Sequence, residues 1–325
     1  MKSFSTNGVG SSRKPETILL LGKNGQVGWE LQRALAPLGT VVALGRDTEN
    51  GLCGDLADPE GLQQTIQTLR PSVIVNAAAY TAVDAAEKNP ELAHRINAIA
   101  PGVLAEAARA VGALLVHYST DYVFNGEGDL PWQEHHSTQP LNTYGESKLA
   151  GEHAIQQAGG HHMIFRTSWV YARHGRNFVN TMASLIQQKP SLNVVGDQIG
   201  APTSAELIAD ITAHCLRARR AGMIDNGVYH LAASGDTSWC DYARYIAETL
   251  QALGAPVTAT QQSIMPIASE HYPTPAKRPL NSRLNTQKLQ TRFGLTLPHW
   301  KPGVKRALMD ARMDALMDKA KHPIC

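Results

Sequence analysis

Cysteine is scarce in this chain: four residues in 325 (Cys53, Cys215, Cys240 and Cys325), with no CxxC pair and no metal-ligand spacing. That argues against a disulfide framework and makes a reduced, cytosolic protein the expectation. Net charge is nearly absent too. Lys and Arg number 30 against 28 Asp and Glu, leaving +2, so neither nucleic acid nor a membrane surface is indicated as a partner. Apolar runs stop short of the roughly 20 residues a membrane helix needs. The 13 histidines show no paired spacing that would suggest zinc. Met1–Glu16 lacks the apolar stretch of a signal peptide and reads as a flexible extension before the first strand.

What is there is an ordinary globular composition, 43% hydrophobic and 18% charged, with enough chain to bury a full core. Short apolar runs that suit buried parallel strands lie at Thr17–Leu21, Thr40–Leu44, Ser72–Val75, Leu114–Tyr118 and Met163–Arg166. Helices are expected between them: Gln26–Ala36, one starting at Asp58-Pro59-Glu60, Pro90–Ala110 with an irregularity at Pro101, and one running through Tyr144 to about Gln157. This alternation predicts an α/β fold with a doubly wound parallel sheet over residues 17–168. Beyond Trp169 the rhythm loosens. Helices are expected near Ser204–Arg217, Thr237–Leu253 and Gly303–Lys319, with strands near Asn193–Val195 and Val228–Leu231. Residues 169–325 read mainly as a smaller lobe over the carboxyl edge of the sheet, with some segments returning to the main domain.

Gly22-Lys23-Asn24-Gly25-Gln26-Val27-Gly28 follows a strand and opens a helix, the context in which a glycine loop holds a dinucleotide. Gly22 suits the tight turn, Gly25 the approach of a pyrophosphate and Gly28 close helix–strand packing. A glycine turn with no ligand is the plain alternative. The acidic residue that usually ends the second strand and selects NAD is missing. The chain reads Leu44-Gly45-Arg46, with the first acid at Asp47. Arg46 and Lys23 suit a 2′-phosphate, so NADPH is expected to be favoured, with NADH still usable. Read plainly, Arg46 is a solvated surface charge. Asp55-Leu56, taken as a strand end, is assigned to the adenine. Ala77, Ala78 and Ala79 leave room for the cofactor, although a packing turn would look the same.

Tyr144 and Lys148 stand four residues apart, on one face of a helix. A neighbouring ammonium favours the phenolate and is expected to lower the tyrosine's pKa from near ~10. Such a phenol is a general acid for carbonyl reduction. Thr120, after the Leu114–Tyr118 strand, would donate to the carbonyl oxygen; Ser119 is the alternative.

Together the runs GKNGQVGWE (Gly22–Glu30), HYSTDYVF (His117–Phe124) and PLNTYGESKLAGE (Pro140–Glu152) resemble the extended short-chain dehydrogenase/reductase family. RTSWVY, DQIGAPT, YPTP and RPLNSRL carry the resemblance from Arg166 to Leu284. It implies reduction of a keto group on a nucleotide-linked deoxysugar. Thr120, Tyr144 and Lys148 would be catalytic, with Tyr118 and Lys148 also against the nicotinamide nucleotide. Asp121, Trp169, Arg278 and Arg283 would meet the substrate. It further implies a homodimer, in some relatives bridged by Mg2+, with Glu30 and Glu206 at matching positions and a third acid near Asp310. Two other readings stay open: a redox-neutral nucleotide-sugar epimerase or dehydratase, and an NADP-binding regulatory subunit resembling the β subunit of methionine adenosyltransferase.

Overall fold

The computed structural model describes residues 16–220, 222 and 226–321; nearly all of the expected amino-terminal extension lies outside the described residues. A six-stranded parallel sheet organises it. Its strands are β1 (Thr17–Leu21), β2 (Thr40–Leu44), β3 (Val73–Asn76), β4 (Leu114–Thr120), β5 (His162–Thr167) and β6 (Gly227–His230). The spatial order is β2-β1-β3-β4-β5-β6. Ile18–Leu21 are buried throughout, which is why β1 reads as an unbroken apolar run and not an alternation. The chain winds from β1 in both directions, and the reversal opens a crevice at the carboxyl ends of β1 and β3.

Helices cover both faces: α1 (Gln26–Leu35), α2 (Pro59–Leu69), α3 (Ala100–Val111) and α4 (Thr143–Ala158). Each break has a local cause. Asp58 accepts from the Gly61 amide and starts α2 with Pro59 behind it. The irregularity expected at Pro101 is a π turn at Arg95–Ile99, between a short helix Pro90–His94 and α3. Proline has no N–H to give to an upstream carbonyl, so the ladder slips there. The turn carries Asn97, whose side chain bonds Tyr80 N and Tyr80 O and Ser147 Oγ.

Asp55-Leu56 is not a strand end. Asp55 Oδ1 accepts from Ala57 N at 3.0 Å in a turn, and the Leu56 side chain is buried in the core beneath α2. After β5, helices α5 (Phe178–Gln188), α6 (Ala205–Arg220), α7 (Trp239–Ala252), α8 (Gln287–Phe293) and α9 (Trp300–Lys321) follow. The sequence reading had missed α5 and α8. Met182, Ile186, Tyr242, Ile246 and Trp300 build a second core there. Two segments of this half return to the sheet: β6 pairs with β5, and α6 buries Ile208 and Ile211 with Leu31 and Leu35 of α1.

One buried ion pair ties α4 to β5. Arg166 Nη2 lies 2.6 Å from Glu152 Oε2 and Nε 2.9 Å from Oε1, with both side chains at or below 5% exposure. Phe124 lies under the guanidinium at 5.1 Å. Glu152→Leu strands the guanidinium and is expected to lower stability by about 3–5 kcal/mol in chemical denaturation. The double replacement Glu152→Leu with Arg166→Met is expected to recover most of that loss.

Candidate active site

The glycine turn, the alanine strip and Thr120 stand at the carboxyl ends of β1, β3 and β4, and α4 brings Tyr144 and Lys148 to the last of these. Gly22 has φ +86°, and a Cβ there would sit 2.7 Å from Ala78 N; one on Gly28 would sit 2.0 Å from Gly22 O. Those two positions are demanded by the protein's own backbone. Gly25 is different: the nearest neighbour of a Cβ there would be at 3.4 Å, so the turn itself does not demand a glycine. The amino terminus of α1 carries no side-chain cap and no acid in its first turn, leaving amides and a positive dipole end for an anion. Asn24 and Gly25 are exposed at this mouth, while Val27 packs on the core and Gln26 Oε1 accepts from Asn177 Nδ2 at 2.9 Å. Ala77, Ala78 and Ala79 form the half-buried wall beside Gly22.

Arg46 is exposed just beyond β2 with no partner among the described residues. Lys23 is not similarly free, because Glu49 takes its ammonium at 2.6 Å. Of the two cations read from the sequence as suited to a 2′-phosphate, Arg46 alone is uncommitted.

Thr120 ends β4, accepting from Tyr122 N to begin a tight turn. Its hydroxyl donates to Asp121 Oδ1 at 3.1 Å and acts on the neighbouring Tyr144 phenol. Ser119 is buried with Oγ unpartnered among the described residues. Helix α4 comes in close because residue 145 is glycine: a Cβ there would lie 2.3 Å from Tyr122 O. Asn142 starts α4 by accepting from Gly145 N, and its Nδ2 donates to Lys277 O at 2.7 Å, so one side chain sets the helix and holds a loop of the second half.

Electrostatics here depart from the sequence reading. Burial pushes the Tyr144 phenol up to about 12; Thr120 pulls against it and Asp121 adds to it. Lys148 does not lower it, because its ammonium is aimed elsewhere. Nζ donates to Tyr118 O at 2.6 Å and lies 3.0 Å from His117 Nε2. Burial brings Lys148 itself down to about 8, opposed by Glu152. Asp121 is raised to about 7 by burial, with the Ser282 and Thr120 hydroxyls opposing, and its Oδ2 has no partner among the described residues. The Tyr118 hydroxyl is tied to Thr212 Oγ1 at 2.8 Å, which steadies the ring beside the crevice.

Trp169 follows β5 at φ +48°, a strained conformation for a bulky residue, stacked on Trp239 at 3.5 Å. Arg278 and Arg283 both face aspartates: Arg278 grips Asp84 through Nη1 and Nη2 at 3.0 and 2.8 Å, and Arg283 pairs with Asp236. The magnesium expectation finds no support among the described residues of the single chain. Glu30 pairs with Arg33 and Glu206 with Arg306, and no group of three ligands among the described residues could hold a metal. The sequence reading passed over Ser282, Asp84, Asn76 and His117. Each is brought in by a different element, and no local pattern joins them.

Comparison with known proteins agrees over about nine-tenths of the chain. A family model described as the RmlD substrate binding domain matches residues 16–313. A dTDP-4-dehydrorhamnose reductase of Escherichia coli K12 is 54% identical, covering 90% of this chain and 96% of that protein. One from Burkholderia thailandensis is 47% identical over 90% and 98%. The crystal structure of dTDP-4-dehydrorhamnose reductase from Bacillus anthracis in complex with NADP superposes with a TM-score of 0.80 at 34% identity, covering 91% of this chain and 99% of that one. A Thermus thermophilus UDP-glucose 4-epimerase shares the fold at 21% identity and a TM-score of 0.74. With the match running from the glycine turn through the loops that close on α4, this chain belongs to the RmlD family of extended short-chain dehydrogenases/reductases.

Proposed function

We propose that the protein reduces the C4 ketone of dTDP-4-dehydro-L-rhamnose to dTDP-L-rhamnose with NADPH. The observation that carries this reading is the convergence of Thr120 and Tyr144 at the carboxyl end of β4, next to an uncapped helix amino terminus and a glycine turn open to a ligand. Relatives up to 54% identical bear the name of that activity, which favours it over both the epimerase and the regulatory-subunit readings.

The residues present fit a nicotinamide dinucleotide. Gly22, Asn24, Gly25, Gln26, Val27 and Gly28 would hold its pyrophosphate, Ala77–Ala79 would flank it, and Asp55 and Leu56 would lie toward the adenine. Tyr118 and Lys148 would hold the nicotinamide end. When bound, it supplies hydride to the carbonyl carbon. The chain's own part is the proton. Thr120 would turn its single hydrogen from Asp121 to the carbonyl oxygen and orient it; Tyr144 would then give its phenolic proton to that oxygen. A phenol held near 12 keeps its proton at neutral pH and releases it only as negative charge builds on the substrate oxygen. Asp121 and Trp169 line the sugar site, with Arg278 and Arg283 toward the diphosphate once their aspartates yield.

Arg46 supports NADPH over NADH, and the Bacillus anthracis neighbour was crystallised with NADP. Buried free thiols at Cys53, Cys215 and Cys240 suit a reducing, cytoplasmic compartment. A homodimer is supported by apolar side chains exposed on two helices: Trp29 of α1 at 57%, and Met309 and Met313 of α9 at 45% and 58%. Helix α6 links the two through Arg33–Asp210 and Arg306–Glu206.

Tyr144→Phe is expected to bind NADPH normally while losing roughly two to four orders of magnitude in kcat; near-normal turnover would refute the proton assignment. Arg46→Ala is expected to lower kcat/KM for NADPH about tenfold and leave NADH use unchanged, since one charge-assisted phosphate contact contributes about 1.5–3 kcal/mol. Equal loss with both cofactors would place the 2′-phosphate elsewhere. Light scattering is expected to give twice the chain mass for the native protein and one chain mass for Trp29→Glu with Met309→Glu. A monomeric native protein would remove the dimer.

A further inference from the structure

Asp84 and Arg278 meet from segments far apart in the chain. Asp84 lies on the short helix Val83–Ala86, downstream of the alanine wall at 77–79, and Arg278 lies in the loop 272–284. Asp84 Oδ1 accepts from Arg278 Nη1 at 3.0 Å, and Oδ2 accepts from Nη2 at 2.8 Å. Oδ1 also accepts from Ala276 N at 3.2 Å, while Nη1 donates to Ala276 O at 3.0 Å. One carboxylate therefore fixes both the loop backbone and the guanidinium. The backbone on either side is held independently, by Asn142 Nδ2 on Lys277 O and by Asn281 N on Gly126 O.

The donors that remain form a pattern. A guanidinium carries five N–H groups, set as two parallel forks: Nη1 with Nη2 across its end, and Nε with Nη2 along its side. Asp84 takes the end fork, and Ala276 O takes the other Nη1 hydrogen. Nε–H and the second Nη2–H are left as an intact side fork, with no hydrogen-bond partner among the described residues. Arg283 differs, because its Nε is already on Asp236 and its side fork opens only when that aspartate lets go. At Arg278 the aspartate yields by sharing the guanidinium, not by releasing it. The Tyr122 and Tyr272 phenols face Arg278, and Tyr122 meets Tyr144 edge-on at 5.7 Å. The open fork therefore stands beside the candidate proton donor.

We propose that Asp84 is a positioning residue that presents the side fork of Arg278 to a phosphate of the nucleotide substrate. A phosphate offers two oxygens at the spacing of that fork. A free arginine loses much rotamer freedom when a ligand fixes it, and here the carboxylate has fixed it already. Asp84 also repels an arriving anion. However, the pair is part-exposed, 24% for the arginine side chain and 42% for the aspartate, so water screens that repulsion. Positioning outweighs repulsion, and removing the carboxylate weakens phosphate binding. Hydrogen bonding from Arg278 holds the Asp84 carboxyl below its ordinary value, against the opposing effect of burial, so the pair stays charged at neutral pH. The choice of a phosphate as occupant rests on the nucleotide-sugar reading; the open fork does not.

The test separates phosphate from nucleoside. Binding of dTDP and of thymidine to the NADPH-loaded protein is followed by calorimetry and, for the weaker nucleoside, by saturation-transfer NMR. Asp84→Asn keeps an oxygen for Ala276 N but turns an amide toward the guanidinium. It is expected to weaken dTDP about tenfold, the scale of one charge-assisted contact, with thymidine within about twofold of native. In turnover the loss is expected in KM for the nucleotide sugar, about tenfold, with kcat falling less than about threefold. Arg278→Lys puts one point charge in place of two forks and is expected to lose a similar amount. Because the two residues act as one unit, the double variant is expected within about twofold of either single. Unchanged or tighter dTDP binding by Asp84→Asn would overturn the proposal. Equal weakening of dTDP and thymidine would also overturn it, by reducing Asp84 to a loop support. A native protein that binds neither ligand would reject the nucleotide-sugar reading itself, and the phosphate assignment with it.

Discussion

Close backbone approach between α4 and the end of β4 is the constraint on which the rest of the site depends. At Gly145 any side chain would collide with the Tyr122 carbonyl, and at Gly151 one would collide with the Asn97 carbonyl, at 2.1 Å. Two small positions let the helix lie almost on the strand turn and on the π turn. Tyr144 therefore meets Thr120, and Lys148 reaches the carbonyl of Tyr118. A helix held one side-chain width further out would leave both groups short of hydrogen-bond range. The Arg166–Glu152 pair then sets the position of the same helix along its length.

This packing has an electrostatic consequence. Excluding water raises the tyrosine and depresses the lysine, so neither group rests at its solution value. The simple picture of an ammonium pulling down a phenol is replaced by one in which burial dominates both. Proton movement in such a site depends on hydrogen-bond partners fixed in advance, because solvent cannot supply them at the moment of reaction. The Thr120–Asp121 contact in front of the tyrosine is one such arrangement.

The loops of the second half are tied to the sheet at the same edge. Asn142 holds Lys277, Asp84 holds Arg278 and the Ala276 amide, and Asn177 holds Gln26 of the glycine turn. The glycine turn, α4 and the loops of the second half thus share one small set of polar anchors.

Much of this was legible in the chain itself. The apolar runs of β1, β3 and β4 show through because a strand covered on both faces must be apolar along its length. Glycine spacing marked the turn, and the i, i+4 spacing of Tyr144 and Lys148 marked the face, because both patterns are properties of local backbone geometry. Strand Asp55-Leu56 was misread: a short run of suitable residues does not reveal that no neighbour is there to pair with it. Lys23, Glu30 and Glu206 were read as available charges, and the fold gives each a partner. His117 and Ser282 stand inside quoted runs and Asn76 just before the alanine strip, but nothing local to them or to Asp84 says what they contact. Sequence alone marked the residues proposed for the chemistry; tertiary structure decided which charges were already paired and which groups were buried, since burial and partnership are made by segments far apart in the chain.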